Sequence, residues 1–575
     1  LALVVFFWQW WLRPENIASL PRYLVLTAVL VWLTLLPGYF IGVFSRALKP
    51  KMRAVSGRVA MVVTKAPSEP FNVVQKTLLA MLNQNYHTDF DVWLADEDPS
   101  EQTLAWCRKM GVFVSTRRGI DDYHRAEWPR RTRCKEGNLA YFYDTYGYDC
   151  YDFVAQLDAD HVPEPEYLAN MISPFVDEGV GYVSAPSICD ANAEQSWSAR
   201  GRLHVEASMH GALQAGYTNG LAPLCIGSHY AVRTKALKQI GGLGPELAED
   251  HSTTLMMNAG GWNGVHATEA YAHGDGPITF TDLVTQEFQW SRSLATILLR
   301  YSPIYVPDLP LRKKAQFLFS QLWYPLFSLT MGAQFLLPIY ALWIGEPIVS
   351  VTFYQFLVHF MPLSLWLIVM AFWWRGSGQF RPVDGKILGW ESSLFLLARW
   401  PWSALGVAYA VRDRLGDGFV DFRITPKGMK NDRALPFRVL VPYLVLALAS
   451  GTAAVFLGTS SEVWGMRVFA TINAIVYAMV LMAVVLLHLR ETGLIPRVVT
   501  SSAPAIAASC MLLILPSIAL AKHGLQGLQA LQHGQDRILL TKQVFSPAGA
   551  GQQVHAQHVL AFSWNPRRHE NFSTE

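Results

Sequence analysis

The residues best placed to do chemistry lie in Tyr151–His161, YDFVAQLDADH. An apolar run, Phe153-Val154-Ala155, leads into Asp158-Ala159-Asp160 and stops at His161-Val162-Pro163. β-Branched and aromatic residues followed by polar ones read as a strand that ends in a loop. In an open α/β sheet, ligands bind beyond the carboxyl ends of strands, where both aspartates would project. Two hard carboxylates one residue apart suit Mg²⁺ or Mn²⁺ that keeps waters and clamps a substrate diphosphate. A D-x-D pair is also common in solvated turns, so its neighbours must decide between the two readings.

Four further clusters offer chemistry. Asp96-Glu97-Asp98 follows the strand-like run Phe90–Ala95. A carboxylate there accepts hydrogen bonds from a base or ribose, or simply caps a helix near Pro99. Lys135 lies in CKEGNLA, where Gly137-Asn138 starts a helix. A lysine at a helix N-terminus makes a diphosphate site, though a lone lysine is more often a surface charge. Glu249-Asp250 in LAEDHST sits at a helix start, where carboxylates are also favourable caps. Gln286-Glu287-Phe288-Gln289-Trp290 opens an amphipathic stretch to about Leu299; Trp290 is either an interface anchor or a platform for a sugar face.

The elements that must position these residues alternate between strand and helix. Arg58–Thr64, Phe90–Ala95, Phe113–Ser115, Tyr151–Leu157 and Gly181–Ala185 read as strands, and Asn72–Asn83 as a helix. That alternation predicts a parallel sheet with helices on both faces. No G-x-G-x-x-G follows the first strand and no Walker motif is present, so dinucleotide and ATP sites lack their phosphate loops.

Composition places this domain in a membrane protein. Hydrophobic residues make up 51% of the 575 and charged ones only 16%, with the apolar runs before about residue 45 and after about 315. Pro21–Ser45, Phe317–Trp343, Phe353–Trp374, Phe437–Leu457 and Val468–Leu489 each approach the roughly 20 residues needed to span a bilayer. Leu1–Leu12 reads as the remnant of another span, and Ala503–Ala521, with two prolines, as a weaker one. Basic residues crowd the segment after the first long span (Arg46, Lys49, Lys51, Arg53) and the loops at 375–386 and 412–438. The positive-inside rule therefore puts the domain after the first long span in the cytoplasm, and makes Trp390–Val411 lie at the interface or dip and return. The net charge of +3 gives no sign of a nucleic-acid partner, and six cysteines without a CxxC pair read as reduced thiols. The first residue is Leu1 rather than Met, so the natural start is expected upstream.

Taken in order, the Asp96, Asp158-x-Asp160, Glu249-Asp250 and Gln286-x-x-Gln289-Trp290 clusters, with the helix-opening Lys135-x-Gly137-Asn138, resemble the processive family 2 glycosyltransferases of bacterial cellulose, hyaluronan and chitin synthesis. Phe422-Arg423-Ile424-Thr425-Pro426-Lys427-Gly428 is similar to the gating loop of cellulose synthase, and Leu224-Cys225-Ile226-Gly227-Ser228 to its segment near the acceptor sugar. The resemblance implies a cytosolic domain of GT-A type with a parallel-rich α/β sheet, inserted between transmembrane helices of an α-helical bundle. Its implied divisions are 1–48 (first spans), 49–282 (transferase), 283–316 (interface helices), 317–521 (bundle, with an interface helix at 390–411 and a gating loop at 422–428) and 522–575 (polar tail).

By the same resemblance Asp250 is the general base and Glu249 orients it, while Asp158 and Asp160 hold Mg²⁺ or Mn²⁺. Asp96, Lys135, Asp158, Gln286, Thr425 and Lys427 contact the donor UDP-glucose. Trp290, Cys225, Gly227 and Ser228 meet the acceptor. The expected partners are the nascent polysaccharide, the lipid bilayer and accessory periplasmic or secretion subunits, with the protein in the bacterial inner membrane. Two departures stand out. The family arginine of Q-x-x-R-W is Gln289 here, with Arg292 the candidate replacement. No segment resembling the PilZ domain of cellulose synthase is found after Leu489. Both lean the product towards a curdlan-like β-1,3-glucan or a mixed-linkage β-1,3/1,4-glucan. Cellulose, hyaluronan or chitin synthesis, transfer to a lipid carrier, and a transporter with a regulatory domain are the alternatives.

Overall fold

A computed structural model describes residues 1–132, 134–416 and 433–532, together with the backbone at 541–543 and 559–561. Its aqueous domain is built on a seven-stranded sheet. We number the strands β1 (Val59–Lys65), β2 (Asp91–Asp96), β3 (Phe113–Ser115), β4 (Phe153–Asp158), β5 (Val180–Ser184), β6 (His229–Arg233) and β7 (Asn263–His266), which lie in the order β3-β2-β1-β4-β6-β5-β7. Side chains along β1 alternate between two cores. Val59, Met61 and Val63 join Val74, Leu78 and Met81 of the Phe71–Leu82 helix on one face, while Ala60 and Val62 join Leu139, Phe142 and Leu237 on the other. Both faces are thus covered by helices, as an interior sheet of near-continuous apolar strands requires.

The sheet is parallel-rich, as the sequence predicts, but mixed. β3, β2, β1 and β4 are parallel, but β6 runs antiparallel to both β4 and β5. β6 and β7 were not read as strands from the sequence. The reversal has a local cause: Asp158 N donates to Ser228 O at 2.7 Å, so the chain enters β6 at the carboxyl end of β4 and can only run back beside it. The Cys225–Ser228 segment is thereby brought to the tip of the strand that carries Asp158.

Among the described residues, six helices are long and apolar enough to cross a membrane: Leu20–Phe44, Leu311–Ile344, Phe353–Gly376, Trp390–Leu415, Ser461–Glu491 and Pro496–Leu531. They flank the sheet domain in sequence, so the chain is a membrane protein with a large inserted α/β domain. Val441–Phe456 is a shorter apolar helix. The segment expected to lie at the interface or to dip and return is one unbroken 26-residue helix, Trp390–Leu415, carrying Pro401 in its interior. It packs along the Phe280–Arg300 helix, and three of its charged residues find partners outside the bundle. Glu391 pairs with Arg200 at 2.7 Å, Arg399 with Glu287 at 2.8 Å, and Asp413 with Arg292 at 2.7 Å. The two helices touch most closely at Gly406, where a Cβ would lie 2.0 Å from Ser291 Oγ and 2.5 Å from the Phe288 carbonyl.

Glu287 is fully buried and Arg399 nearly so. Removing one member of a buried pair strands the other charge, at about 3–5 kcal/mol. Arg399→Met should therefore lower the thermal midpoint of the purified protein, and the double variant Arg399→Met/Glu287→Leu should recover most of the loss. Equal midpoints for the single variant and the parent would contradict the pairing.

Candidate active site

Three neighbouring parallel strands end together. The register sets Thr64 opposite Asp158 and Lys65 opposite Asp96, so Asp96 and Asp158 flank the tip of β1, about 10 Å apart at two strand spacings. Asp96 is wholly buried and accepts from Lys65 Nζ at 3.1 Å and from Asp98 N at 3.1 Å, while its Oδ2 has no hydrogen-bond partner among the described residues. Burial raises its pKa, and the lysine beside it works in the opposite sense. Glu97 is held by a two-pronged ion pair with buried Arg117, at 2.9 and 2.5 Å.

The Lys135–Phe142 helix is fixed to the same edge. Asn138 Nδ2 donates to the carbonyl of Ala95 at 2.9 Å, and Glu136 accepts from the backbone N–H groups of Arg130 and Arg131. A Cβ on Gly137 would lie 2.0 Å from the Arg131 carbonyl, so only glycine permits this approach. Lys135, in the first turn, donates to Asp158 Oδ1 at 2.7 Å and to the carbonyl of Gly227 at 2.5 Å. One ammonium thus joins β4, the helix N-terminus and the Cys225–Ser228 segment.

Asp158, Asp160 and His161 converge, with one donor atom from each lying within 4.8 Å of the others. The loop that carries them is pinned by Thr77 Oγ1 donating to the Ala159 carbonyl at 2.7 Å, and Asp160 Oδ2 accepts from Asp275 N at 3.2 Å. His161 contacts Asp160 at 3.2 Å and Ser187 Oγ at 3.3 Å, and Gly274 leaves room for its ring, since a Cβ there would meet Cε1 at 2.3 Å. Two carboxylates and an imidazole in a partly open site suit an octahedral divalent cation such as Mn²⁺ or Mg²⁺. His161 was missed as a donor in the sequence, although it adjoins Asp160.

Glu249 and Asp250 form the first turn of the Glu249–Ala259 helix. Asp250 Oδ1 accepts from His251 N at 2.7 Å, and Oδ2 faces Gly227, where a Cβ would stand 3.2 Å away. Glu249 is buried, with Oε1 unpartnered among the described residues. Desolvation raises both carboxyls above their ordinary range; mutual repulsion adds to this for Glu249, and the Lys135 charge pulls both back. Cys225 is buried, its N–H donating to Thr254 Oγ1 at 2.9 Å, and Ser228 Oγ meets Ser187 Oγ at 3.0 Å.

The Phe280–Arg300 helix, which carries Gln286–Trp290, is tied to the turn before Glu249 by one bond. Ala248 N, just before Glu249, donates to Ser293 Oγ at 2.9 Å. Gln286 Oε1 accepts from Arg202 at 3.0 Å, and the same guanidinium lies 4.3 Å from the centre of the Trp290 ring. Arg292 points the other way, to Asp413, so it does not stand in for the missing arginine. Thr425 and Lys427, with the rest of 422–428, lie outside the described residues.

Residues 153–376 match a family model described as Glycosyl transferase family group 2. Over that span the chain is similar to family 2 glycosyltransferases. Among curated relatives, the cellulose synthase catalytic subunit (UDP-forming) of Xanthomonas axonopodis pv. citri is 24% identical over 262 residues, covering 44% of this chain and 34% of the relative. Cellulose synthase 1 of Komagataeibacter xylinus is 24% identical over 257 residues, covering 44% and 32%. The matched region thus spans about a third of those relatives' length. Among solved structures, a mannosyltransferase from Pyrobaculum calidifontis in complex with GDP-Man and Mn²⁺ aligns with a TM-score of 0.44 at 14% identity, covering 69% of this chain and 98% of that one.

The donor set makes a direct prediction. Asp160→Ala and His161→Ala should each weaken Mn²⁺ binding at least tenfold by isothermal titration, consistent with the loss of one inner ligand. Unchanged Mn²⁺ affinity in both would remove the cluster as a metal site.

Proposed function

We propose that this protein is a membrane-embedded, processive, inverting glycosyltransferase that extends a β-linked glucan from UDP-glucose and moves the product across the bacterial inner membrane. The arrangement that carries the proposal is Asp250 facing Gly227, whose carbonyl is tied through Lys135 to the Asp158–Asp160–His161 cluster. Base, acceptor segment and cation site are thus consecutive in space. Asp158, Asp160 and His161 would hold the divalent ion, which neutralises the departing diphosphate. Lys135 adds a positive charge at the same place, at a helix N-terminus that also favours phosphate.

In this scheme Asp250 accepts the proton of the acceptor hydroxyl as its oxygen bonds to the glucose anomeric carbon and the bond from that carbon to UDP breaks. Glu249, raised in pKa beside it, keeps Asp250 oriented without competing as a second full charge. Asp96 and its unpartnered oxygen receive the nucleoside, and Gln286 lines the donor side. Trp290 offers its ring to the terminal sugar, with Cys225, Gly227 and Ser228 along the acceptor path. Thr425 and Lys427 complete the donor site by resemblance alone. The nascent chain, the bilayer and accessory secretion subunits are the partners this reading implies.

For the linkage we favour a curdlan-like β-1,3- or mixed-linkage β-1,3/1,4-glucan, on the ground that Gln289 stands where the family has an arginine, beside Trp290. Cellulose is the second reading, and the curated relatives matched here favour it. Membranes incubated with labelled UDP-glucose, UDP-GlcNAc and UDP-GlcA should yield polymer from UDP-glucose alone, and that polymer should be cut by a β-1,3-glucanase or lichenase. Complete digestion by a β-1,4-glucanase alone would establish cellulose instead; polymer from UDP-GlcNAc or UDP-GlcA would overturn the glucan reading.

Two predictions test the base. Asp250→Asn should lower kcat by about 10²–10⁴-fold, the usual contribution of a general base, with UDP affinity nearly unchanged. Near-parental turnover would remove the assignment. Because burial raises the Asp250 pKa, the ionised base is lost as pH falls while ordinary carboxylates, near 4, are still charged. The acid limb of kcat/KM should therefore be centred above that range. A limb at or below about pH 4 would contradict a desolvated base.

A further inference from the structure

Gln289 leaves the acceptor helix without the cation expected there, and Arg292 is committed to Asp413. The positive charge on that face comes instead from another helix. Arg202 lies on Trp197–Ser208, with its side chain only 11% exposed. Its Nε is held by Glu206 at 3.0 Å, Nη1 donates to Gln286 at 3.0 Å, and the guanidinium stacks on Trp290. Nη2 makes no hydrogen bond among the described residues.

Contacts continue from Arg202 to the cation cluster. Glu206 is 3.6 Å from His210, His210 Nδ1 accepts from Ser187 N at 3.4 Å, and Ser187 Oγ contacts His161 at 3.3 Å. His161 also contacts Cys189, at 3.9 Å. Arg202 is thus linked to the Trp290 ring directly and to His161 through Glu206, His210 and Ser187. At about 100° per residue, positions 286, 289 and 290 share one face of the helix, so a guanidinium grown from 289 would enter the same space.

We propose that Arg202 supplies, from outside the Q-x-x-Q-W segment, the guanidinium that contacts the donor's β-phosphate and that Gln289 cannot provide. Its planar fork of N–H donors suits a phosphate oxyanion, and the platform is thereby built from two helices. This rests on reading the site as a nucleotide-sugar transferase centre.

The test uses the full chain in detergent or nanodiscs, with UDP and UMP as probes in the presence of Mn²⁺. Arg202→Gln should narrow the preference for UDP over UMP by roughly tenfold, the scale of one charge-assisted contact, and lower kcat more than it raises the acceptor KM. Arg202→Lys, which keeps the charge but not the fork, should fall between and checks that folding is preserved. The double variant Arg202→Gln/Gln289→Arg should regain at least a tenfold preference, because the guanidinium returns to the same face. Parental UDP preference in Arg202→Gln with only the acceptor KM raised, or no recovery in the double variant, would overturn the proposal and leave Arg202 as packing for Trp290. A parental protein that binds neither nucleotide would overturn the transferase reading together with this one.

Discussion

The site depends on a single ammonium. Asp158, Glu249 and Asp250 crowd the end of one sheet, and three carboxylates brought out of water repel one another unless a cation lies among them. Lys135 is that cation. It bonds Asp158 directly, reaches the Gly227 carbonyl against which Asp250 packs, and pulls down the pKa of both acidic residues that open the next helix. Its position follows from the first turn of Lys135–Phe142, which Asn138 and Gly137 press against the end of β2 and the Arg131 carbonyl. Local backbone packing thus determines where the charge sits, and the charge determines which acidic groups can coexist.

The same principle governs the junction with the membrane bundle. An apolar helix carrying Glu391, Arg399 and Asp413 would be costly in lipid. Each of these charges is matched by a residue of the aqueous domain or of the Phe280–Arg300 helix, and Gly406 removes the side chain that would hold the two helices apart. Continuity of Trp390–Leu415 is therefore compatible with its charges because the partners lie alongside it, which hydropathy counted along one segment could not reveal.

Much of this was legible in the residues. The strands ending at Asp96 and Asp158, the helix opened by Lys135 and the helix start at Glu249-Asp250 all follow from local pattern, since each is a short apolar run or cap followed by a polar break. The antiparallel β6 was not legible, because His229–Arg233 is five residues long and its direction is set by the Asp158–Ser228 bond, a contact between segments 70 residues apart in the chain. His161 was readable from its neighbour Asp160. Arg202 carried no signal at all: it belongs to no motif, and its importance comes only from the crossing of two helices distant in sequence.

That crossing has a mechanical side. The Phe280–Arg300 helix shows Gln286 and Trp290 to Arg202, Glu287 and Arg292 to the Trp390–Leu415 helix, and Ser293 to the turn preceding Glu249. It cannot roll about its axis without breaking ties on all three sides. A ring resting on Trp290 would accordingly be indexed to the bundle and to the acidic turn at once, like a ratchet tooth keyed to its shaft, so that any stroke moving it must shift the whole assembly rather than a lone side chain.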